Sequence, residues 1–277
     1  MNNLDWRKWF DKMQPQTLQI AAMLLYLNGF FALVSVFDTT GYLGYIRSRF
    51  GFGFVFGLVV VGAHVGCDYH HNDGRISKTG TIGTIGCTSF FPSKNLGCYG
   101  DGGAICTNDD ALAKQLKMVA NHGQSVKYVH DVVGCNSRLD SMQAAVLRIK
   151  LPLLDSYCDA RRKAADYYDN FFKDYPQIIT PKRDPKSKHA FHQYTLQLEG
   201  LDRKSVVDHL SKLDVPSMVY YPSPAHKQGM FASFELGELD LPVTEWLTSR
   251  VISLPMHTEL DEEQLHYICS SLVSFLK

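Results

Sequence analysis

Two long uncharged stretches stand at the start of the chain. Residues 18–37, LQIAAMLLYLNGFFALVSVF, hold no charge and have about the length that crosses a hydrocarbon core of roughly 30 Å as a helix. Residues 50–66, FGFGFVFGLVVVGAHVG, are also uncharged, shorter, and rich in glycine and phenylalanine, and the polar residues 38–49 connect the two. This pattern predicts a two-helix transmembrane hairpin over residues 1–66. Arg7, Lys8 and Lys12 outnumber Arg47 and Arg49 of the loop, which favours a cytoplasmic N-terminus and returns the chain to the cytoplasm at Cys67. A competing reading is a pair of buried core helices, because Gln19 and Asn28 interrupt the first run. A cleaved signal peptide fits less well, since no small-residue cleavage pattern follows the long apolar run.

Beyond Gly66 the apolar positions become periodic and short. A strand is expected over 87–91, stopped by Pro92, and another over 104–107. Asn108 as cap, Asp109 and Asp110 in the first turn, and the stripe Leu112, Leu116, Val119 predict a helix ending by Gly123. The polar stretch 128–141 reads as a loop, with Ser137 and Asp140 at the start of a helical run to Tyr175 that Pro152 must break or kink. Residues 176–188, PQIITPKRDPKSK, form a linker. A strand over 192–198, a helix from Asp202 to Leu213, a strand over 215–221 and a closing amphipathic helix over 261–276 follow.

Charge changes the picture little. The 28 basic and 28 acidic residues cancel and the pI is about 7.2, so nothing points to nucleic acid. Arg161, Arg162 and Lys163 are balanced by Asp159, Asp166 and Asp169 and read as a solvated helix face. The seven cysteines are scattered with no C-x-x-C pair, the pattern of thiols in a reducing compartment. His64, His70 and His71 lack nearby cysteines or carboxylates at zinc-site spacing, so no metal site is expected.

The chemistry concentrates in residues 88–103, TSFFPSKNLGCYGDGG. A strand delivers Lys94 into a loop carrying Gly97, Gly100, Gly102 and Gly103, which lets backbone approach a ligand closely. A lysine is a poor nucleophile until burial or a nearby cation lowers its pKa from roughly 10.4. Packed aromatics beside Lys94, with hydroxyls at Ser89 and Ser93 and the amide of Asn95, suit a Schiff-base lysine next to a phosphorylated aldehyde, as pyridoxal phosphate requires. On the lysine alone, an ordinary surface residue in a turn is the better explanation.

The longer string S-F-F-P-S-K-N-L-G-C-Y-G-D-G-G-A-I resembles the DegT/DnrJ/EryC1/StrS family. T-N-D-D-A-L-A, N-H-G-Q, G-C-N-S-R-L-D-S-M-Q-A-A and A-R-R-K-A-A-D-Y-Y extend the likeness, which runs from about Gly66 to Lys277. These are nucleotide-sugar aminotransferases of the aspartate-aminotransferase fold (fold type I). The resemblance implies an α/β fold in which Lys94 forms the imine with pyridoxal 5'-phosphate, Ser89 binds the phosphate, and Asn136 reaches the phosphate of a neighbouring subunit's cofactor. A homodimer, a nucleotide-sugar substrate and an amino donor, glutamate, follow from it. It also implies that the H-Q-Y and Y-Y-P-S-P-A-H stretches border the sugar site, so His192, Tyr221 and His226 are candidate substrate contacts; packing is their competing role. Lysine at this position argues against the related sugar dehydratases, which carry histidine.

The first 66 residues do not share the likeness. Aligning the family's D-x-A-Q stretch places Val60 at the acid that pairs with the pyridine nitrogen and Ala63 at the glutamine. The expected organisation is therefore a membrane hairpin (1–66), the remainder of a truncated cofactor-binding large domain (67–175), and a small C-terminal α+β subdomain (176–277). The expected function is transamination of a nucleotide-linked keto-sugar in amino-sugar synthesis for surface polysaccharide, in a cytoplasmic part tethered to the membrane. The alternatives are an inactive membrane-anchored remnant serving as a dimerisation or binding module, and a chimeric join near Gly66.

Overall fold

The computed structural model of the chain describes the backbone of residues 60–63 and, in full, residues 65–229 and 240–276. The first predicted span, 18–37, lies outside these residues, as does most of the second. Where the second span is described it is not helical: Val60–Ala63 form strand β1, hydrogen-bonded to the strand that precedes Lys94. The reason is generic, since a strand buried on both faces reads as the same unbroken apolar run as a membrane helix. Among the described residues no helix is long and apolar enough to cross a membrane.

The chain divides into two compact units, one holding residues up to Tyr157 together with Pro185–Ala190, the other Cys158–Asp184 and Phe191 onward. In the first, β1 runs parallel to β4 (Ile85–Ser89), with Ala63 opposite Thr88, and β5 (Gly103–Cys106) pairs antiparallel on the other edge, with Ser89 opposite Gly103. All of β4 except Ser89 is buried. A small sheet of β2 (Asp68–His70), β3 (Ile76–Lys78) and β9 (Ser187–Lys188) carries a Lys78–Asp68 ion pair at 2.5 Å.

Helix α1 (Asp110–Ala120) follows β5, capped by Asp109, whose carboxylate accepts from the Leu112 amide at 2.9 Å. The cap was expected at Asn108; it falls on Asp109 because that residue takes the extended backbone, φ −101 and ψ 111, that capping needs. The next residues were expected as a loop and instead contain a hairpin of β6 (Gln124–Val126) and β7 (Val129–His130). Asp140 caps α2 (Ser141–Lys150) through the Met142 amide at 2.7 Å. Pro152 breaks the helical run as expected: a 3-10 turn, Leu151–Leu153, separates α2 from α3 (Leu154–Phe172).

The second unit is a three-stranded antiparallel sheet, β11 (Val251–Leu254), β10 (Tyr194–Leu198) and β8 (Ile178–Ile179), packed with helices α3, α4 (Arg203–Lys212) and α6 (Glu262–Ser274). Tyr194, Leu196 and Leu198 alternate inward from β10, while Ala165, Tyr168 and Phe172 recur at helical spacing on α3. Val206 and Leu210 of α4 and Cys269 and Leu272 of α6 close this core, each fully buried. Full burial of each large apolar side chain contributes about 1.5–3 kcal/mol. The predicted strand over 215–221 is reduced to one bridge, Met218 with Ser253, because Pro216 and Pro222 bracket it without amide donors. A helix α5 (Pro242–Arg250), with proline in its first turn, was not anticipated.

Candidate active site

Strand β4 ends at Ser89 and the chain turns at once into the loop bearing Lys94. The Phe90 amide donates to the Gly102 carbonyl at 2.8 Å and the Cys98 amide to the Phe90 carbonyl at 2.8 Å, so the loop is tied across its base. Phe90, Leu96 and Cys98 are completely buried and anchor it to the unit. The Cys98 thiol adds hydrogen bonds to the carbonyls of Phe90 and Gly100, both at 2.9 Å. Asn95 is buried and donates through Nδ2 to the Ala190 carbonyl at 2.7 Å.

Within this frame the Lys94 amide donates to the Phe91 carbonyl at 2.8 Å, forming a tight turn. A Cβ at position 97 would sit 2.4 Å from the Pro92 carbonyl oxygen, so Gly97 is what allows the turn and the loop to touch. The Lys94 side chain is half-buried, and that burial pushes its pKa below the ordinary lysine value. A larger share of neutral amine at a given pH makes Lys94 a better nucleophile. Ser89 Oγ accepts from the Phe91 amide at 3.2 Å, leaving its own proton available to an anion.

Asn136 is exposed, forms a backbone bridge with Asn121, and accepts through Oδ1 from Arg138 Nε at 2.9 Å. Its partners Asn121 and Arg138, but not Asn136 itself, line a cavity of about 490 Å³ together with Lys117, His122, Lys127 and Tyr128 among others, with no carboxylate in its wall. His122 and Tyr128 adopt left-handed backbone, φ 61 and φ 70, a conformation that costs roughly 1–2 kcal/mol per non-glycine residue and is held only where surroundings enforce it. The cavity suits a polyanion. Lys94 and Ser89 are not in its lining.

In the second unit His192 is half-buried, and its carbonyl accepts from Arg161 Nη1 at 3.2 Å. Tyr221 is exposed. His226 is buried, with Nε2 3.6 Å from the Glu245 carboxylate, which Lys227 Nζ meets at 2.6 Å. Lys227 holds the Glu245 carboxyl below its usual pKa. His226 thus packs as part of this unit, while Tyr221 faces solvent. His71 Nε2 lies 2.9 Å from Ser77 Oγ, and among the described residues no three histidine, cysteine or acidic side chains are grouped to hold a metal.

Lys117 and Lys127 went unnoticed in the sequence. Their signal was available: Lys117 precedes N-H-G-Q-S-V-K-Y, Lys127 lies within it and Arg138 follows, but they belong to a helix end, a hairpin turn and a loop, so only the folded hairpin makes them neighbours. The seven cysteines are all free thiols, six of them buried.

The DegT/DnrJ/EryC1/StrS aminotransferase family matches residues 61–273. A pleiotropic regulatory protein of Geobacillus stearothermophilus is 43% identical over 200 residues, covering 72% of this chain and 53% of the relative. A UDP-2-acetamido-2-deoxy-3-oxo-D-glucuronate aminotransferase of Pseudomonas aeruginosa is 43% identical over 193 residues, 70% of this chain and 52% of the relative. The chain therefore spans about half the length of these curated relatives. The crystal structure of a DegT DnrJ EryC1 StrS aminotransferase from Brucella abortus superposes with a TM-score of 0.72 at 34% identity, over 84% of this chain and 60% of that one.

Proposed function

Because the chain belongs to the DegT/DnrJ/EryC1/StrS aminotransferase family, we propose that it transfers an amino group to a keto-sugar carried on a nucleoside diphosphate, with Lys94 as the cofactor lysine. Aminotransferases of this family use pyridoxal phosphate. The observation that carries the reading is the half-buried Lys94, whose charge is disfavoured where it sits, at the tip of a loop closed on itself by Gly97. When bound, the cofactor supplies an aldehyde that captures amino groups and a ring that withdraws electrons.

The residues fit two ends of that group. Lys94 Nζ would hold the aldehyde end, and its free amine would be the group that carries the proton from the α-carbon of the amino donor, glutamate. Ser89 Oγ serves the phosphate end. Asn136, on an exposed loop, serves the phosphate in a neighbouring subunit, which makes a homodimer the working unit. Lys117, Lys127 and Arg138 supply fixed positive charge for a substrate diphosphate. His192, Tyr221 and His226 remain candidates for the sugar side; the solvent-facing Tyr221 is the best placed of them to meet a ligand.

The ring-nitrogen end fits less well. Val60, matched to the family's acid, stands in β1 beside the lysine strand, opposite Ile85, and valine cannot hold a proton on a pyridine nitrogen. That residue favours a second reading, a module that binds cofactor or partner without turnover. The two separate in one experiment: the cofactor-loaded full chain is given 15N-glutamate and a UDP-linked 3-oxo-sugar, and products are read by mass. A labelled amino-sugar nucleotide that disappears in Lys94→Ala supports the enzyme; an adduct at Lys94 without product supports the module.

A further inference from the structure

The loop after Lys94 is tied at its base and by Cys98, but few of its other side chains anchor it. Between Gly97 and Gly102 only Cys98 is a buried side chain; Tyr99 and Asp101 are exposed and the rest is glycine. Further support comes from one face of α2 and the residue before its cap. Leu139, Gln143, Leu147 and Lys150 recur at helical spacing, so they form one stripe. A Cβ on Gly102 would lie 2.8 Å from Leu139 Cδ1. Gln143 Oε1 accepts from the Tyr99 amide at 2.8 Å, and Gln143 Nε2 lies 3.3 Å from where a Gly100 Cβ would stand. Lys150 Nζ donates to the Gly97 carbonyl at 2.8 Å and stands 5.0 Å from the centre of the Tyr99 ring.

We propose that Gln143 and Lys150 are positioning residues that clamp the 97–100 backbone and thereby fix the turn that presents Lys94. The linkage is steric. Gly97, gripped by Lys150 from one side, abuts the carbonyls of Phe91 and Pro92 on the other. The Phe91 carbonyl is the acceptor that closes the Lys94 turn. A shift at Gly97 therefore passes through two contacts to Lys94. Both hydrogen bonds are made to backbone groups, so they act on the shape of the loop. Released from the clamp, the turn opens and Lys94 regains water.

This inference rests on the reading of Lys94 as the cofactor lysine for its meaning in catalysis, and its test does not. In the cofactor-free full chain, acetylation of Lys94 by trace acetic anhydride is followed against pH by peptide mass, for wild type, Gln143→Leu and Lys150→Met. Gln143→Leu changes no charge, so it separates the clamp from simple electrostatics. The clamp predicts a higher titration midpoint for Lys94 in both variants, equivalent to about threefold slower labelling at pH 8 for a shift of half a unit. It also predicts that Lys150→Arg, which keeps the charge and a donor for the Gly97 carbonyl, retains the wild-type profile. Unchanged midpoints in folded Gln143→Leu and Lys150→Met overturn the proposal. Should one truncating variant not fold, the other decides, and Gln143→Ala, which also changes no charge, is read beside it: an unchanged midpoint in a folded truncation overturns the proposal and a raised midpoint upholds it. Borohydride-fixed pyridoxal phosphate is measured alongside. A wild-type chain that forms no adduct refutes the cofactor reading and leaves the clamp standing, whereas a normal adduct with variant profiles equal to wild type refutes the clamp alone.

Discussion

At the scale of single residues, the proposal puts the chemistry on Lys94, and Gly97 allows the turn that holds it. Burial sets the folded pKa of Lys94 below its unfolded value. In the window between the two values the unfolded chain binds the extra proton, so folding stability rises with pH there; the gain is complete above the unfolded value and lost as pH falls through the folded one. Removing the amine in Lys94→Met should therefore abolish that rise. Thermal melts of the cofactor-free chain between pH 7 and pH 11 check it: wild type gains on the variant's baseline as pH climbs, and parallel curves would refute the burial of charge. Gly97→Ala makes a different demand. Its methyl group must displace the Pro92 carbonyl 2.4 Å away, which should destabilise the chain by about 1–3 kcal/mol and cut cofactor attachment more than stability alone explains. Denaturant melts and adduct yield together measure both.

The sequence made Lys94 legible because a strand, a proline and four glycines surround it in seventeen consecutive positions, 87–103, that need no tertiary partner to be recognised. It could not disclose Gln143 and Lys150 as supports, since their hydrogen-bond partners, the Tyr99 amide and the Gly97 carbonyl, lie 44 and 53 positions away in the chain. Nor could it show that His226 is turned inward against Glu245, because a histidine in a proline-rich loop has the same letters whether it meets a ligand or a core.

At the scale of elements, the long helices read well, whereas α5 and the short strands did not. Caps are local: Asp202 accepts from the Ser205 amide, and Asp261 forms a capping box with Gln264, as their spacing predicts. Replacing Asp261 with alanine should cost about 1 kcal/mol and loosen α6, which contributes Leu265, Ile268, Cys269 and Leu272 to the core. A drop in urea midpoint at constant slope is the expected readout. The β6–β7 hairpin escaped because Val126, Val129 and Tyr128 are exposed, so no alternation of buried and solvated positions marks it. Strand β1 escaped for the opposite reason, its apolar run being unbroken.

At the scale of the molecule, the family assignment and the half-length match set the question of what the chain does alone. If Lys94 of one subunit works with Asn136 of its neighbour, two defective chains should repair each other. Lys94→Ala and Asn136→Ala, each defective alone, are mixed after reversible dissociation; random pairing makes about a quarter of sites native in both residues. Recovery of amine transfer near that level supports shared sites, and none on mixing contradicts them.

The most direct test of the account is where pyridoxal phosphate attaches. The full chain is incubated with the cofactor, reduced with borohydride, digested, and the modified peptide sequenced by mass, with Lys94→Ala alongside. The account predicts one dominant adduct, on Lys94, absent from the variant. No adduct, or modification spread equally over surface lysines in both proteins, would contradict it.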